Sequence, residues 1–369
     1  LTSERVREYH AALGHALLGM EGADPEHLSE HFEHAGDAQL SAAYAVRAGD
    51  RALSASAFDQ AVHFYEKALA LGEFERRETH RLRVALGDAL ASAGRGPAAS
   101  AAYVSASETA NGAEVLELKR RAAIQLMWTG RLDLGRVLFS DVLGTFGMRL
   151  PRTPARAAAL LVLERAQLRL RGLELSERTP RSESRQQLMA LHDLVACMFG
   201  SDLLSCAALN VQSMRRALDA GDVHAAGAGI RLDILNRTLG IGDSACVPEL
   251  VERSRILIAR DPDPRGVAFQ LLLRANYEIY GRLGGDWESA LSLIDQFLAL
   301  ASADPLSIAA YERGRAEFSR SSLLTLLGRT DEVARQLPGL LNDTWQRGDR
   351  FLPPLFVSFP LYAWLAIGA

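Results

Sequence analysis

The sequence predicts an all-α chain of stacked helical hairpins, and three observations carry the prediction. Apolar residues recur at helical spacing nearly throughout, with no sustained period-two alternation of the kind a half-buried sheet needs. A frame of small and aromatic positions occurs three times: Gly49, Ala61, Tyr65 and Ala68; Gly87, Ala99, Tyr103 and Ala106; and, more worn, Ala123, Gly135, Phe139 and Val142. The frame recurs at 38 and then 36 residues, close to the period of a helix–turn–helix repeat.

Physical reasons fix these residue types. Two helices of a hairpin approach within about 8–10 Å only where side chains at the crossing are small, which selects Ala61, Ala99 and Gly135. Four residues later an aromatic lands on the same helical face, and Tyr65, Tyr103 and Phe139 are expected to fill the space between one hairpin and the next. The turn inside each hairpin is expected near Ser56, Gly94 and Gly130, where Gly supplies a left-handed backbone at low cost; two of the three positions comply. Small, turn and aromatic positions together form the tetratricopeptide pattern, so the expected architecture is a tetratricopeptide-like helical-hairpin solenoid, a right-handed superhelix.

Taken in order, residues 3–20 read as one amphipathic helix and 21–24 as a loop. A second helix begins near Pro25, since Pro is accommodated in a first turn. Residues 1–36 thus form lead-in helices, and 37–148 hold the three repeats. Residues 149–186 change texture: Pro151, Pro154 and Pro180 punctuate them, and nine Arg stand against four Glu. This stretch is expected to be a connector whose Arg-rich helix, residues 153–171, presents a solvated face. From 187 to 369 degraded hairpins continue, marked by Gly221 with Ala226 and Ile230, by Gly285 and Trp287 with Ala290 and Ile294, and by Gly328 with Val333. Turns are expected at 240–243 and 261–264, and the last hairpin reads as truncated at the C-terminus.

Composition narrows function. The chain is 48% apolar and 23% charged with a formal net charge of −4, an ordinary globular balance without the basic footprint of a nucleic-acid binder. No nucleic-acid partner is expected. Cys197, Cys206 and Cys246 make an odd number without close metal-type spacing, which suits a reducing cytoplasm better than a disulfide framework. The apolar stretch from Leu352 is broken by Pro353, Pro354 and Pro360, so no membrane span is expected.

No motif for catalysis is found. Lys67 and Lys119, the only lysines, do not sit in a phosphate-binding G-x-x-x-x-G-K-[ST] loop. The H-R-D and D-F-G elements of a kinase, the G-x-S-x-G elbow and the H-E-x-x-H zinc motif are also missing from the sequence. His27, His31 and His34 share one helical face, with Glu30 and Glu33 among them, at spacings that a divalent metal could use. A polar accumulation on an outer helix, with His31 packed against the first repeat, is the plainer account. Asp261 and Asp263 flank prolines and read as turn chemistry. The expectation is therefore no catalytic, cofactor-binding or metal residue, and no cofactor.

The run "LSEHFEHAGDAQLSAAYAVRAGDRALSASAFDQAVHFYEKALALGE" from Leu28 resembles the segment that follows the ATPase module in bacterial signalling proteins joining a serine/threonine protein kinase to an AAA- or STAND-type ATPase and tetratricopeptide repeats. "LELKRRAAIQLMWTGRLDLGRVLFSDVLGTFGMRLPRTP" from Leu116 and "GDWESALSLIDQFLAL" from Gly285 resemble later parts of the same region. The resemblance implies that residues 1–36 join an upstream ATPase module, and that kinase and nucleotide chemistry, with ATP and Mg, belongs to those upstream modules. No catalytic residue carries over. The implied role is a non-catalytic sensor or docking arm, in which partner binding biases the catalytic modules through differential affinity. The alternative is the repeat arm of a STAND-type transcription activator whose DNA-binding domain lies outside this segment.

The expected partner is a protein, a peptide or another domain of the same polypeptide. Repeats that clamp a peptide carboxylate use Lys and Asn at positions held here by Val46 and Asp50, Val84 and Asp88, and Arg120 and Ile124. The clamp is missing, and Asp50 with Asp88 in adjacent repeats suggests instead a groove for a basic or mixed peptide.

Overall fold

The computed structural model describes residues 3–20, 22–177, 182–199, 201–260, 264–280, 286–303, 310–346 and 352–358. Pro180, Asp261, Asp263, Gly285, Pro360 and the last eleven residues, 359–369, lie outside the described residues. Among those described, all regular structure is helical. The chain divides into two compact units, Leu1–Ala122 and Ala123–Ala369. The division falls inside a helix, whereas composition placed boundaries after 36, 148 and 186.

The first unit holds α1 (Ser3–Leu18), α2 (Pro25–Ala35), α3 (Ala38–Ser54), α4 (Phe58–Leu71), α5 (Arg76–Ser92), α6 (Gly96–Ser107) and the start of α7 (Ala113–Trp128). From α1 to α6 each helix packs on the next. The helix starts have local causes. Asp24 accepts the Glu26 N–H and Asp37 the Leu40 N–H, so both carboxylates occupy N-caps and satisfy donors that the first turn leaves unpaired. Asp24 also receives Arg51 at 2.8 Å, fastening the start of α2 to the end of α3. Between α2 and α3, Ser29 and Ser41 are fully buried and each hydroxyl donates to the other's carbonyl, at 3.1 and 2.8 Å.

The hairpin crossings occur where the frame predicts. Ala61, Ala68, Ala99 and Ala106 are fully buried, as is Tyr65. The turns at Ser56, Gly94 and Gly130 adopt φ of 57°, 75° and 75°. Ser56 is the one non-glycine with positive φ among the described residues, a conformation that costs an L-residue about 1–2 kcal/mol.

The second unit contains the rest of α7, then α8 (Leu132–Thr145), α9 (Pro154–Arg171), α10 (Ser182–Ala196), α11 (Leu203–Ala220), α12 (Val223–Thr238), α13 (Val247–Arg260), α14 (Pro264–Tyr280), α15 (Trp287–Ala303), α16 (Ala310–Leu326), α17 (Thr330–Gln346) and α18 (Leu352–Ser358). Phe139, Leu143 and Met148 share a core with Leu191, Leu194, Met198 and Leu209. A second core joins Leu161 and Leu168 of α9 to Val211 and Met214 of α11 and Ile230 of α12. A third gathers Ile294, Phe297, Leu323, Leu337 and Phe356. Helix α12 crosses α11 so closely that a Cβ on Gly229 would stand 2.8 Å from Met214 Cβ.

The Arg-rich helix matches the expectation only on one side. Besides its solvated side, where Arg156 and Arg169 are exposed, α9 packs along α11 and buries Ala157, Leu161, Glu164 and Leu168. Arg165 reaches the Ile241 carbonyl at 2.5 Å, and Arg171 donates to Asp219 at 2.6 Å. Counting charges missed this because the acids that receive these arginines lie about 50–70 residues downstream, on α11 and α12. Where the later hairpins were expected, Ala226 and Ile230 are fully buried, as is Ala290, and Ile294 and Val333 are nearly so.

Candidate functional site

The two first copies of the frame build one arrangement twice, within the first unit. A Cβ on Gly49 would stand 2.8 Å from the Tyr65 ring, and one on Gly87 would stand 2.6 Å from the Tyr103 ring. Each tyrosine ring therefore packs against a glycine of its own hairpin, where it was expected between one hairpin and the next, because the missing side chain at Gly49 and Gly87 leaves room for a ring there; its hydroxyl reaches the residue after that glycine. Tyr65 Oη donates to Asp50 Oδ1 at 2.7 Å, and Tyr103 Oη to Asp88 Oδ1 at 2.8 Å. An arginine from the following hairpin completes each set: Arg81 Nη1 reaches Asp50 Oδ1 at 3.2 Å, and Arg121 Nη1 reaches Asp88 Oδ1 at 2.9 Å. Glu78 holds Arg81 at 2.8 Å and Glu117 holds Arg121 at 2.8 Å.

The electrostatics match this geometry. Burial, and then the adjacent carboxylate, push both tyrosines well above the ordinary phenol range, so each stays a neutral donor. Burial alone would raise the Glu117 carboxyl, but hydrogen bonds from Arg120 and Arg121 hold it below the ordinary range. Asp50 and Asp88 are thus tie points between hairpins. The carboxylates expected to attract a basic peptide already face guanidinium groups of this chain through Oδ1, while each side chain stays nearly half exposed. Sequence reasoning missed this because Arg81 and Arg121 lie 31 and 33 residues after their partners.

The histidine face is also differently employed. His10 of α1 comes within 2.9 Å of His31, Nδ1 to Nδ1, and its ring lies 4.8 Å from that of His34. One imidazole donates and the other accepts, so the face that suggested a metal is a contact between α1 and α2. Among the described residues no three His, Cys, Asp or Glu side chains have an arrangement that could hold a metal ion. Burial and then the neighbouring His10 hold His31 below the ordinary imidazole range. Glu33 takes Lys67 at 2.6 Å.

In the second unit the charged side chains form internal sets. Asp233, almost fully buried, receives Arg237 at 2.7 Å and Arg165 at 3.5 Å. Glu164 accepts from Gln212 and Arg215, both at 2.9 Å. Arg237 also approaches Cys246 Sγ at 2.9 Å. The buried Cys206 thiol is pushed up to about 12 by burial, which suppresses thiolate chemistry at neutral pH. An open groove of about 400 Å³ lies against α15 and is lined by Leu291, Ser292, Asp295 and Arg329. Asp295 in it is taken by Arg320 at 2.7 Å.

No described helix is long and apolar enough to cross a membrane. No protein-family model matches the chain, and no curated protein matches it.

Proposed function

We propose that this chain is a tetratricopeptide-like repeat arm: a non-catalytic protein-interaction and sensor region of a cytoplasmic bacterial signalling protein that couples partner binding to serine/threonine kinase and ATPase modules. The observation that carries the reading is the duplicated set Gly49, Tyr65, Asp50 and Arg81 with Gly87, Tyr103, Asp88 and Arg121. It combines the small and aromatic frame at a 38-residue offset with the same polar tie to the following hairpin. A unit that repeats and is tied to its successor is the building block of a repeat protein, and repeat proteins act by presenting surface to other proteins. The resemblance of the stretches from Leu28, Leu116 and Gly285 supplies the kinase–ATPase context.

The coding sequence on both sides tests the context. A kinase catalytic loop and an ATPase phosphate loop upstream, in the same frame, support the reading. A frame that carries neither module overturns it, and a helix-turn-helix downstream would replace it with the arm of a transcription activator.

A further inference from the structure

Helix α9 is apolar on two opposite sides, and only one of them is covered. Ala157, Leu161, Glu164 and Leu168 face α11. On the far side Ala155, Ala159, Leu163, Ala166 and Leu170 follow one another at spacings of three and four, with Val162 three residues after Ala159 and four before Ala166, which aligns all six on a single face. Val162 is 70% exposed, Leu163 53% and Leu170 89%. The stripe runs over four turns, about 22 Å. A helix with apolar residues on opposite faces is built to lie between two layers.

Charge selects what lies on it. Arg156 and Arg169 flank the stripe on either side, and Arg149 and Arg152 precede the helix; all four are exposed and unlike Arg165 and Arg171 none makes an ion pair among the described residues. The only acid on α9, Glu164, sits on the buried side, held by Gln212 and Arg215. We propose that this face docks an amphipathic helix of a protein partner whose apolar seam is bordered by Asp and Glu. Three of the six stripe positions are Ala, which lets a helix axis approach closely. A membrane-binding face would carry bulky aromatics among its apolar residues, and this one has none. A second copy of the chain fits poorly, because pairing α9 with itself sets Arg156 against Arg169 or each against its twin. The proposal stands on α9 alone and holds whichever catalytic modules the chain serves.

The test uses the full chain and a fluorescently labelled helical peptide of about 18 residues, with a Leu/Ala seam bordered by Glu, read by anisotropy. A matched peptide bordered by Lys is the comparison. The Glu peptide is expected to bind at least about tenfold more tightly, with affinity that falls as salt rises. Val162→Glu with Leu170→Glu should abolish binding, and Arg156→Glu with Arg169→Glu should reverse the preference between the peptides. These side chains are exposed, so unchanged far-ultraviolet circular dichroism is expected of both variants, and Arg156→Gln with Arg169→Gln provides a milder form that loses only the preference. Equal affinity for the two peptides, no binding of either, or binding that survives Val162→Glu with Leu170→Glu overturns the proposal. So does α9-dependent binding to phosphatidylglycerol-containing vesicles without peptide preference, or α9-dependent dimerisation in sedimentation.

Discussion

The first two copies of the repeated frame and the third solve the same packing problem with different chemistry. In the first unit Gly49 and Gly87 lie under tyrosine rings whose hydroxyls donate to Asp50 and Asp88. In the second unit the aromatic is Phe139, the residue after the small position is Ile124, and both are buried in an apolar core. The glycine has also changed helix. Ala123 occupies the place of Gly49, while Gly135 occupies the place of Ala61 and faces Met127, whose Sδ would stand 2.8 Å from a Cβ there. Close approach of two helices needs one small residue at the crossing, and either helix can supply it. What cannot be exchanged piecemeal is the polar tie, because a buried hydroxyl without its carboxylate, or the reverse, costs more than losing both.

The largest test removes the aromatic. Tyr65→Ala and Phe139→Ala should each destabilise their own unit by about 3–5 kcal/mol, read from hydrogen exchange of the amides around each site. A small effect at either position would show that the crossing collapses around the gap, and the equivalence of the copies would fail. Next is the glycine contact. Gly87→Val places a Cβ 2.6 Å from the Tyr103 ring, and overpacking of this kind costs about 1–3 kcal/mol. Ala123→Gly, in the copy whose glycine lies on the other helix, should cost only about 1 kcal/mol.

Smaller still is the polar tie. Tyr103→Phe removes one hydrogen bond to a carboxylate that keeps Arg121, so the loss should be about 1–2 kcal/mol. Phe139→Tyr should also destabilise, by about 1–3 kcal/mol, because it buries a hydroxyl in a cluster that offers Ile124 where the other copies offer Asp. If Phe139→Tyr were neutral, the polar tie would not be what distinguishes the copies. The turn gives a change of opposite sign. Ser56 holds φ 57° where the corresponding Gly94 holds 75°, so Ser56→Gly should stabilise the first hairpin by about 1 kcal/mol, raising the denaturation midpoint of the first unit.

Helices, turns and crossings were legible in the sequence because they depend on residues a few positions apart. Ser56, Gly94 and Gly130 close first helices, and Ala61, Ala99 and Gly135 mark crossings, from local spacing alone. Three things were not legible, and each depends on distance along the chain. Asp50 and Asp88 read as free groove acids until Arg81 and Arg121 were seen to meet them. His31 and His34 read as one face of one helix, whereas His10 from α1 completes the set. Arg165 and Arg171 of α9 read as solvated, since Asp233 and Asp219 could not be matched to them by position. With these pairs removed from the count, the exposed arginines and the apolar stripe remain, and the helix becomes a candidate surface rather than a linker.

The least effect belongs to the histidine contact, because its groups are mostly solvent-exposed and screened. Burial, then His10, and then His27 and His34 hold His31 below its ordinary value of 6.5, with Glu30 opposing. A folded chain that resists protonation at His31 loses ground to an unfolded chain that accepts it. The first unit should therefore keep this contribution above about pH 6.5 and lose it as pH falls through the lowered value of the folded state. Amides of α1 and α2 should open more readily there, while α5 and α6 stay unchanged once intrinsic exchange is corrected for pH. His10→Gln should raise the His31 titration, followed by the imidazole proton resonance, and flatten the pH response. A His31 that titrates at or above the ordinary value in the unaltered chain would show that the contact between α1 and α2 does not rest on neutral imidazoles.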